Sequence, residues 1–398
     1  MKNKPTLELK QIKKYFPYHR ICLVKVLLLL INGILISNSC NLNKIKKKGS
    51  LILGRAINPD SLYTRFIRFF KMKGSEGFVL GILQLVLSMA MPYIGNSYAH
   101  HCIAIDRTNW KLGKININIL YIGLVLGNGR FIPLYFKLLD KKGNSSQAER
   151  LVLFDQFKTI FNILTDMTFV IVGDREFIGQ DWFMYLQANY EFVMRIRCKD
   201  YAACLAEQLG ISVERLTKKI DRGVKKKGYC VFPIELKGKT FYYHICEKRK
   251  GDRAYPNEKD KYIRFISTSA DHQWVIEQYD RRWKIEVFFE DSKMKGFDLE
   301  AINFTHPPKI RLMVAICAIC YMLCLIQGII AYQNRTPRTK MDKRSGKIYH
   351  RTSMFTKGYE KVEQMLFHIT QLVDMINRLI LVHFPINHRV INQKLYGF

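Results

Sequence analysis

The amino-acid sequence predicts an α/β protein, in which a mixed β-sheet with helices on both faces follows an all-α N-terminal part. Three patterns support this prediction. Residues 20–92 carry helical periodicity throughout. Between residues 101 and 197, apolar segments follow the order strand, strand, strand, helix, strand, helix, strand. Residues 229–267 then alternate polar and apolar side chains as half-buried strands do, which predicts a β-rich insertion.

The composition favours a folded protein that binds a polyanion. The chain has 398 residues, 48% apolar and 13% aromatic, so a sizeable core can form and wholesale disorder is excluded. At about 150 residues per domain, this length indicates two or three structural units. Lysine and arginine number 64 against 33 acidic residues, a formal net charge of +31. This excess predicts nucleic acid as the first candidate partner and an anionic membrane surface as the second.

The cysteines do not indicate a secreted, disulfide-bonded protein. Ten cysteines occur at irregular spacings, which is not a disulfide framework in a chain this long. Cys317 and Cys320 form a CxxC pair, but it lies in an apolar helical run without a second pair to complete a zinc set. We therefore expect buried thiols and a reducing cytoplasm.

Two apolar runs raise the question of a membrane span. Residues 21–36 are too short and too interrupted by polar residues for a confident span. Residues 312–332 carry no formal charge and are long enough to cross a bilayer. Because this run is only moderately hydrophobic, the central buried helix of an α/β core is the favoured interpretation.

The N-terminal part, residues 1–95, is predicted to be a helical DNA-binding domain. Residues 1–18 are basic and are expected to form an exposed arm. Helices are predicted over residues 22–37, from Pro59 onwards, and over residues 78–89. Several short helices of this kind are typical of a helix-turn-helix-like unit, although a helical cap with a solvated basic face has the same pattern.

The predicted helix that starts near Pro59 carries the basic face of this domain. Asp60 or Ser61 is expected to cap its N-terminus. Arg65 and Arg68 are expected to line its outside, while its leucine and phenylalanine side chains pack inward. These two arginines are therefore candidate DNA-binding residues.

Residues 96–198 are predicted to form the first part of the mixed sheet. Strands are expected over residues 101–106, 116–126, 131–139, 169–173 and 191–197, and helices over residues 145–164 and 180–188. Gly127, Asn128 and Gly129 form a strong hairpin turn signal between the second and third strands.

Acidic residues stand at the ends of two of these strands. Asp106 is expected at the end of the first strand or just inside it, and Asp174 directly follows the apolar run Phe169–Gly173. Open α/β sheets place their chemistry at the carboxyl ends of neighbouring strands. We therefore expect the two carboxylates to converge.

Residues 199–270 are predicted to form a β-rich, strongly basic insertion. Strands are expected over residues 229–236, 240–246 and 262–267, with several lysine and arginine runs between them. Lys225, Lys226 and Lys227 form one of these runs. The runs are either solvated loops or a phosphate-binding surface.

The stretch from residue 279 to residue 293 has the spacing of a functional helix face. Its four polar residues lie at i, i+3, i+7 and i+14, within roughly a 60° arc at about 100° per residue: Tyr279, Arg282, Glu286 and Lys293. A carboxylate among cations suits a divalent metal and the phosphates of a polyanion. An ordinary amphipathic surface helix is the alternative, and Glu290, one turn after Glu286, is a rival carboxylate.

The rest of the chain is less informative. Residues 333–353 are predicted to be a basic, proline-containing linker, and residues 360–384 a last amphipathic helix.

Together these residues resemble the DDE transposases of bacterial insertion sequences and, within them, the insertion-sequence-four family. The signature of that family is Tyr, two residues, Arg, three residues, Glu, six residues, Lys. Tyr279, Arg282, Glu286 and Lys293 keep every spacing. The first acid has Thr two positions on, as Asp106 does, and the second stands in an Asp-Arg-Glu context after a Val/Ile-rich strand, as in residues 170–177. The resemblance covers about residues 20–332.

The resemblance implies a fold and a domain organisation. It implies a ribonuclease-H-like core split by a β insertion before the last acid, and a helical domain that binds transposon ends. The expected boundaries are 1–95 for the DNA-binding domain, 96–198 and 271–334 for the two parts of the core, 199–270 for the insertion, and 335–398 for the linker and C-terminal helix.

The resemblance also implies a reaction, which the residues can support. DNA cleavage and strand transfer need an activated water or 3′-hydroxyl and charge stabilisation, which two Mg²⁺ ions can supply, with Mn²⁺ as a substitute. Asp106 is expected to bridge both ions, with Asp174 and Glu286 each completing one coordination shell. Arg282 and Lys293 would hold phosphates, and Tyr279 would contact a phosphate or a nucleotide.

The implied partners are double-stranded DNA and a second copy of the chain. The DNA comprises terminal inverted repeats and a target, and a homodimer is expected to bind it in a synaptic complex. The expected location is the bacterial cytoplasm, at the nucleoid, with no membrane partner. Two other hypotheses stay open at this point. One is a catalytically inactive DNA-binding relative that regulates transposition. The other is a basic protein associated with a membrane through residues 312–332.

Overall fold

The computed structural model describes residues 9–94, 101–126, 130–160, 168–197, 199–248, 261–334, 338–341, 348–366 and 368–380. The predicted hairpin turn at residues 127–129 lies outside these ranges. Six helices precede the sheet: α1 (Leu9–Lys13), α2 (Ile21–Ser37), α3 (Leu42–Lys46), α4 (Gly49–Leu53), α5 (Pro59–Phe70) and α6 (Ser75–Ala90). A 3-10 turn, Met91–Tyr93, follows.

Two details of the N-terminal prediction are wrong. The expected exposed arm is partly buried, because Ile12 of α1 and Phe16 after it lie in the hydrophobic core. The cap of α5 is neither Asp60 nor Ser61. Asn58 caps it, since its side-chain oxygen accepts the backbone N–H of Asp60 at 2.8 Å. Pro59 then occupies the first helical position, where a missing N–H costs nothing.

One continuous sheet of eight strands forms the centre of the protein. The strands are β1 (His101–Leu112), β2 (Ile115–Leu126), β3 (Arg130–Leu138), β4 (Phe169–Gly173), β5 (Glu191–Ile196), β6 (Tyr229–Leu236), β7 (Lys239–Glu247) and β8 (Tyr262–Ser267). Their spatial order is β3-β2-β1-β4-β5-β8-β7-β6. β1 pairs antiparallel with β2 and parallel with β4, and β4 pairs parallel with β5. This mixed α/β arrangement fits the ribonuclease-H-like core that the sequence predicts.

The strands of residues 229–267 extend this sheet. β8 pairs antiparallel with β5, and β7 and β6 follow outward. Two helices that the sequence analysis missed precede them, α9 (Ala202–Gln208) and α10 (Val213–Lys227). Lys225, Lys226 and Lys227 therefore form the last turn of a helix, not a loop between strands.

The remaining helices of the core pack against the sheet. They are α7 (Gln147–Ile160), α8 (Gln180–Gln187), α11 (His272–Arg281), α12 (Trp283–Glu290) and α13 (Pro307–Asn334). A π-helical turn, Asp291–Lys295, follows α12, and a 3-10 turn, Leu299–Ala301, precedes α13.

Among the residues that the structure describes, two helices are long and apolar enough to cross a membrane, but both are core helices by their burial. They span Ser75–Tyr93 and Pro307–Asn334, and 72% and 89% of their most apolar windows are buried inside the protein. α13 packs against α2, α6 and the sheet. The core-helix interpretation of residues 312–332 therefore agrees with the structure.

The C-terminal part packs against the core instead of extending from it. The described residues form β9 (Thr339–Met341), β10 (Ile348–His350), α14 (Met354–Met365) and α15 (Ile369–Leu379). The single helix predicted over residues 360–384 is wrong: Leu366 adopts an extended conformation and ends α14, and His368 caps a separate helix. Residues 381–384 lie outside the described ranges.

The crossing of α13 and α14 depends on two glycines. A Cβ atom at Gly358 would overlap the carbonyl oxygen of Cys324, and one at Gly328 would overlap the carbonyl oxygen of Met354. Backbone atoms cannot yield as the end of a flexible side chain can, so this close approach requires glycine at both positions. Nearby, the Phe355 ring stacks on Tyr321 with a centroid distance of 5.3 Å.

We expect Gly358→Ala to lower the free energy of unfolding by about 3 kcal/mol, at the upper end of the range for overpacking a core. The added methyl group forces α14 away from α13. Urea unfolding followed by circular dichroism measures the loss. Lys361→Ala, an exposed position of the same helix, is the matched control and should change stability by less than about 0.5 kcal/mol. Equal stability of the two variants would contradict the close crossing.

Candidate functional site

β1 and β4 bring the first two candidate acids together, Asp106 from the middle of β1 and Asp174 from directly after the end of β4. The strands run parallel, and the last pair in their register is Ile105 with Gly173. The next residues, Asp106 and Asp174, therefore lie side by side. The strands themselves are apolar and fully buried up to this point. The two carboxylates therefore lie side by side as predicted, but the strand expected to end at residue 106 is longer, because β1 continues, paired with β2, as far as Leu112.

The third candidate acid reaches the same place from a helix. α11 and α12 pack against β1, β4 and β5, and the apolar face of α12 fixes its rotation. Phe288 is buried, with its ring 5.1 Å from that of Phe131 and 4.9 Å from that of Tyr321. With Phe288 anchored inward, Glu286 is left half-buried beside the strand ends.

Arg282 lies at the centre of the three acids. Its Nη1 donates to Asp106 Oδ2 at 2.9 Å, and its Nη2 donates to Glu286 Oε1 at 2.5 Å. Its side chain is only 8% exposed, so this is a desolvated ion-pair network and not a surface contact. Tyr279 completes the group, since its hydroxyl donates to Asp174 Oδ1 at 3.4 Å.

The environment drives the pKa values of the two aspartates apart. Burial raises the pKa of Asp106 to about 7, against the opposing effects of Arg282 and of the Arg107 backbone N–H. Burial also acts on Asp174, but the cations around it, Arg282 first and then Arg195, lower the pKa of that carboxyl below its ordinary value. Of the two aspartates, Asp106 is therefore the one whose ionised form burial destabilises more than the nearby cation and N–H stabilise it.

Lys293 does not lie on one helix face with Tyr279, Arg282 and Glu286, as it would if the helix were uninterrupted. The π-helical turn at Asp291–Lys295 changes the rotation per residue, so the arc expected for an ideal helix is wrong beyond Glu290. Lys293 Nζ donates to the carbonyl of Asn109 at 3.2 Å and pairs with Glu300 at 3.1 Å. It therefore lies along β1, three residues past Asp106.

The other candidate DNA-binding residues lie on exposed helix faces. Arg65 and Arg68 are exposed on α5, opposite its buried leucine and phenylalanines. Lys225, Lys226 and Lys227 are exposed at the end of α10, whose other face is buried through Leu216, Ile220 and Val224. Both sets can reach a phosphate backbone, and their DNA-binding role stays a prediction.

Sequence reasoning missed several cations near the acids. Arg195 Nη1 lies 3.7 Å from Asp174 Oδ1, and Arg175 Nε lies 3.8 Å from the same oxygen. Arg195 follows three buried apolar residues of β5, the strand next to β4 in the sheet. A charged residue inside a buried strand is the signal that could have identified it.

The donor set suits a hard divalent cation. Carboxylate oxygens are the ligands that Mg²⁺ prefers, and Asp106, Asp174 and Glu286 supply them from three elements. Within the described ranges, no three acidic, histidine or cysteine side chains already stand as a metal cluster. Arg282 instead bridges Asp106 and Glu286, so its guanidinium supplies the positive charge between these carboxylates.

Comparison with known proteins identifies the family of this chain. A protein-family model described as the transposase DDE domain matches residues 100–323, more than half of the chain and the whole span from β1 to the middle of α13. A search of curated proteins found no match. The matched region contains the sheet, Asp106, Asp174, Glu286 and Arg282. The chain belongs to the transposase DDE domain family.

Proposed function

We propose that this DDE transposase carries out cut-and-paste transposition of its own element. It would hydrolyse phosphodiester bonds at the terminal inverted repeats and then join the freed ends to target DNA. The observation that carries the proposal is the meeting of Asp106, Asp174 and Glu286 around Arg282. The spacing of Tyr279, Arg282, Glu286 and Lys293 supports membership of the insertion-sequence-four family, and with it an excision step through a hairpin at the transposon end.

In this proposal the three carboxylates hold two Mg²⁺ ions, which Mn²⁺ can replace. Asp106 would contact both ions, and Asp174 and Glu286 would each hold one of them. When bound, the ions make a water or a 3′-hydroxyl nucleophilic and stabilise the charge on the phosphorane. Because ligands must be deprotonated, the raised pKa of Asp106 makes metal affinity increase with pH across neutrality.

Arg282 has a second anion available when DNA binds. Its planar fork bonds carboxylates in the structure, and the same geometry suits a phosphate. We propose that Arg282 turns from Asp106 and Glu286 to a phosphate beside the scissile bond. Tyr279 stays close to Asp174 and contacts the same nucleotide, and Lys293 holds a phosphate farther along β1.

The basic helices supply the wider DNA surface. The N-terminal domain, residues 1–95, would bind the terminal repeats through Arg65 and Arg68 on α5. Lys225, Lys226 and Lys227 on α10 would hold DNA at the outer part of the sheet, in the insertion of residues 199–270. We propose a homodimer in the synaptic complex and a cytoplasmic, nucleoid-associated protein, with no role for a membrane.

The test is DNA cleavage by the purified protein. We expect nicks at the element ends, each leaving a 3′-hydroxyl, when a duplex carrying the DNA that flanks the gene is incubated with Mg²⁺ or Mn²⁺. Chelation with EDTA should abolish cleavage, and a duplex with scrambled ends should not be cut. Sequencing of the products locates the cuts. A protein that binds the ends tightly but cuts them with neither metal would be the inactive, regulatory relative.

A further inference from the structure

We propose that Arg107 and Glu176 are positioning residues that hold the carboxylates of Asp106 and Asp174 at a fixed separation. This inference rests on the proposed function, because it assigns the pair a role in shaping the metal site. Neither residue is a proposed metal ligand. Arg107 directly follows Asp106, and Glu176 lies two residues after Asp174.

The pair is a nearly buried ion pair with good geometry. Arg107 Nε lies 3.0 Å from Glu176 Oε2 and 3.2 Å from Oε1, and the two side chains are 15% and 13% exposed. Glu176 Oε1 also accepts two bonds from Ser145, at 2.7 Å from its N–H and at 2.8 Å from its hydroxyl. A carboxylate with this many donors has little freedom to move.

The rest of the Arg107 guanidinium extends the network to neighbouring segments. Its Nη1 donates to Asn118 Oδ1 on β2 at 3.0 Å, and its Nη2 donates to Asn144 Oδ1 at 3.3 Å. Asn118 Nδ2 in turn donates to the carbonyls of Lys141 and Gly143, at 2.9 and 3.0 Å. β1, β2, the segment before α7 and the turn after β4 are thereby tied together.

The network acts on both carboxylates through the backbone. The Arg107 N–H donates to Asp106 Oδ1 at 2.7 Å, so the residue that carries the ion pair also orients the first acid. Asp174 stands at the start of a turn closed by the bond from the Phe177 N–H to the Asp174 carbonyl, at 2.9 Å, and Glu176 lies inside that turn. The ion pair thus joins the backbone of β1 to the turn that carries the second acid.

A purely electrostatic role does not explain the pair. Arg107 and Glu176 carry opposite charges and cancel each other, so the pair contributes little net field at the carboxylates. What it fixes is geometry: without it, the turn after β4 is tied to β1 only through the strand pairing that ends at Ile105 and Gly173. Partners that orient metal ligands in this way typically affect metal affinity by about 10–100-fold.

A nearby ion pair provides a matched control. Lys141 Nζ lies 2.7 Å from Glu149 Oε2, and that oxygen also accepts the Ser146 N–H at 2.6 Å. Glu149 is therefore a carboxylate with a similar set of donors at the start of α7. It is not adjacent in sequence to Asp106, Asp174 or Glu286.

The experiment measures Mn²⁺ binding to the full-length protein by electron paramagnetic resonance, alongside end-DNA binding in EDTA. We expect Glu176→Gln to weaken Mn²⁺ binding by about tenfold or more while DNA affinity stays within about twofold. Glu149→Gln should change neither quantity by more than about twofold. The double variant Arg107→Gln/Glu176→Gln should bind Mn²⁺ about as weakly as Glu176→Gln, because the pair acts as a unit.

Ser145→Ala keeps the proposal testable if Glu176→Gln does not fold. It removes one hydroxyl donor from Glu176 and leaves the ion pair intact, so we expect a smaller but measurable loss of Mn²⁺ affinity, about two- to fivefold. The positioning role is overturned if Glu176→Gln binds Mn²⁺ with wild-type affinity. If Ser145→Ala is the only one of the two variants that folds, wild-type Mn²⁺ affinity in Ser145→Ala overturns it. An equal loss in Glu149→Gln overturns it as well.

The same titrations separate this inference from the proposed function. If Asp106→Asn loses the Mn²⁺ site and Glu176→Gln keeps it, the positioning role fails and the metal site stands. If the wild-type protein binds Mn²⁺ no better than Asp106→Asn, the proposed metal site fails, and the positioning role fails with it.

Discussion

Replacing Asp106 by Asn will lower metal-dependent cleavage of end DNA by about 10³-fold or more, the size of effect seen when one member of a cooperating catalytic group is removed. An amide is a neutral and weaker metal ligand, and Asp106 is the residue proposed to bridge both ions. Asp174→Asn and Glu286→Gln should have effects of the same order. Single-turnover cleavage of a labelled duplex measures the loss.

DNA binding should respond differently from cleavage in these variants. Each substitution removes a negative charge near the path of the phosphates, so affinity for end DNA in EDTA should stay the same or increase. Two other carboxylates provide the controls. Glu290, replaced by Gln, lies one turn from Glu286. Asp181, replaced by Asn, lies on α8, where its carboxylate pairs with Lys237. Both controls should cut at close to the wild-type rate. Undiminished cleavage by any of the three acid variants would remove that residue from the proposed site.

Replacing Arg282 by Gln will destabilise the metal-free protein by about 3 kcal/mol, the cost of breaking a buried ion pair from one side. The substitution leaves Asp106 and Glu286 without the guanidinium that bridges them. Thermal and urea unfolding in EDTA measure the loss. Arg215→Gln, at an exposed position of α10, controls for the removal of an arginine in general.

Added metal and pH should change this loss in defined directions. Since Arg282 no longer competes for the carboxylates, Mg²⁺ should raise the melting temperature of the variant more than that of the wild type.

The pH dependence of stability follows from Asp106. In the wild type, the folded-state pKa of this carboxyl is already raised to about 7, well above its ordinary 3.8, so its ionisation lowers the stability of the fold as pH rises between these two values. Without Arg282 the pKa rises further, and the cost continues to grow above pH 7. The stability difference from wild type should therefore be larger at pH 8 than at pH 6. A difference that shrinks with pH, or an equal response to Mg²⁺, would contradict the proposed role of Arg282.

Much of the candidate site follows from local sequence patterns. Asp106 and Asp174 could be identified because each directly follows a run of apolar strand residues, and parallel neighbouring strands place such residues side by side. The continuation of β1 past Asp106 to Leu112 was not predicted. Glu286 could be identified because its spacing from Arg282 places both on one face of a helix anchored by Phe288. These are short-range regularities of strand and helix, which a sequence states directly.

The features that sequence reasoning missed depend on long-range packing. The π-helical turn that redirects Lys293 could not be predicted, because the residue types at positions 291–295 do not distinguish it from an α-helical turn, which has about one residue fewer per turn. The two C-terminal helices could not be separated from one amphipathic run, since α14 packs against α13 and α15 against α2, and these contacts join distant parts of the chain. The network of Arg107 and Glu176 likewise exists only once β1, β2 and the β4 turn have come together.

The proposed metal site can be tested most directly by anomalous X-ray diffraction from crystals of the protein grown with end DNA and Mn²⁺. The proposed site predicts two anomalous peaks about 4 Å apart, one shared by Asp106 and Asp174 and one shared by Asp106 and Glu286, with the Arg282 guanidinium turned towards a phosphate. Glu286→Gln crystals should lose or weaken the second peak. Ordered end DNA beside these carboxylates with no Mn²⁺ peak between them, and Arg282 still bridging Asp106 and Glu286, would contradict the account.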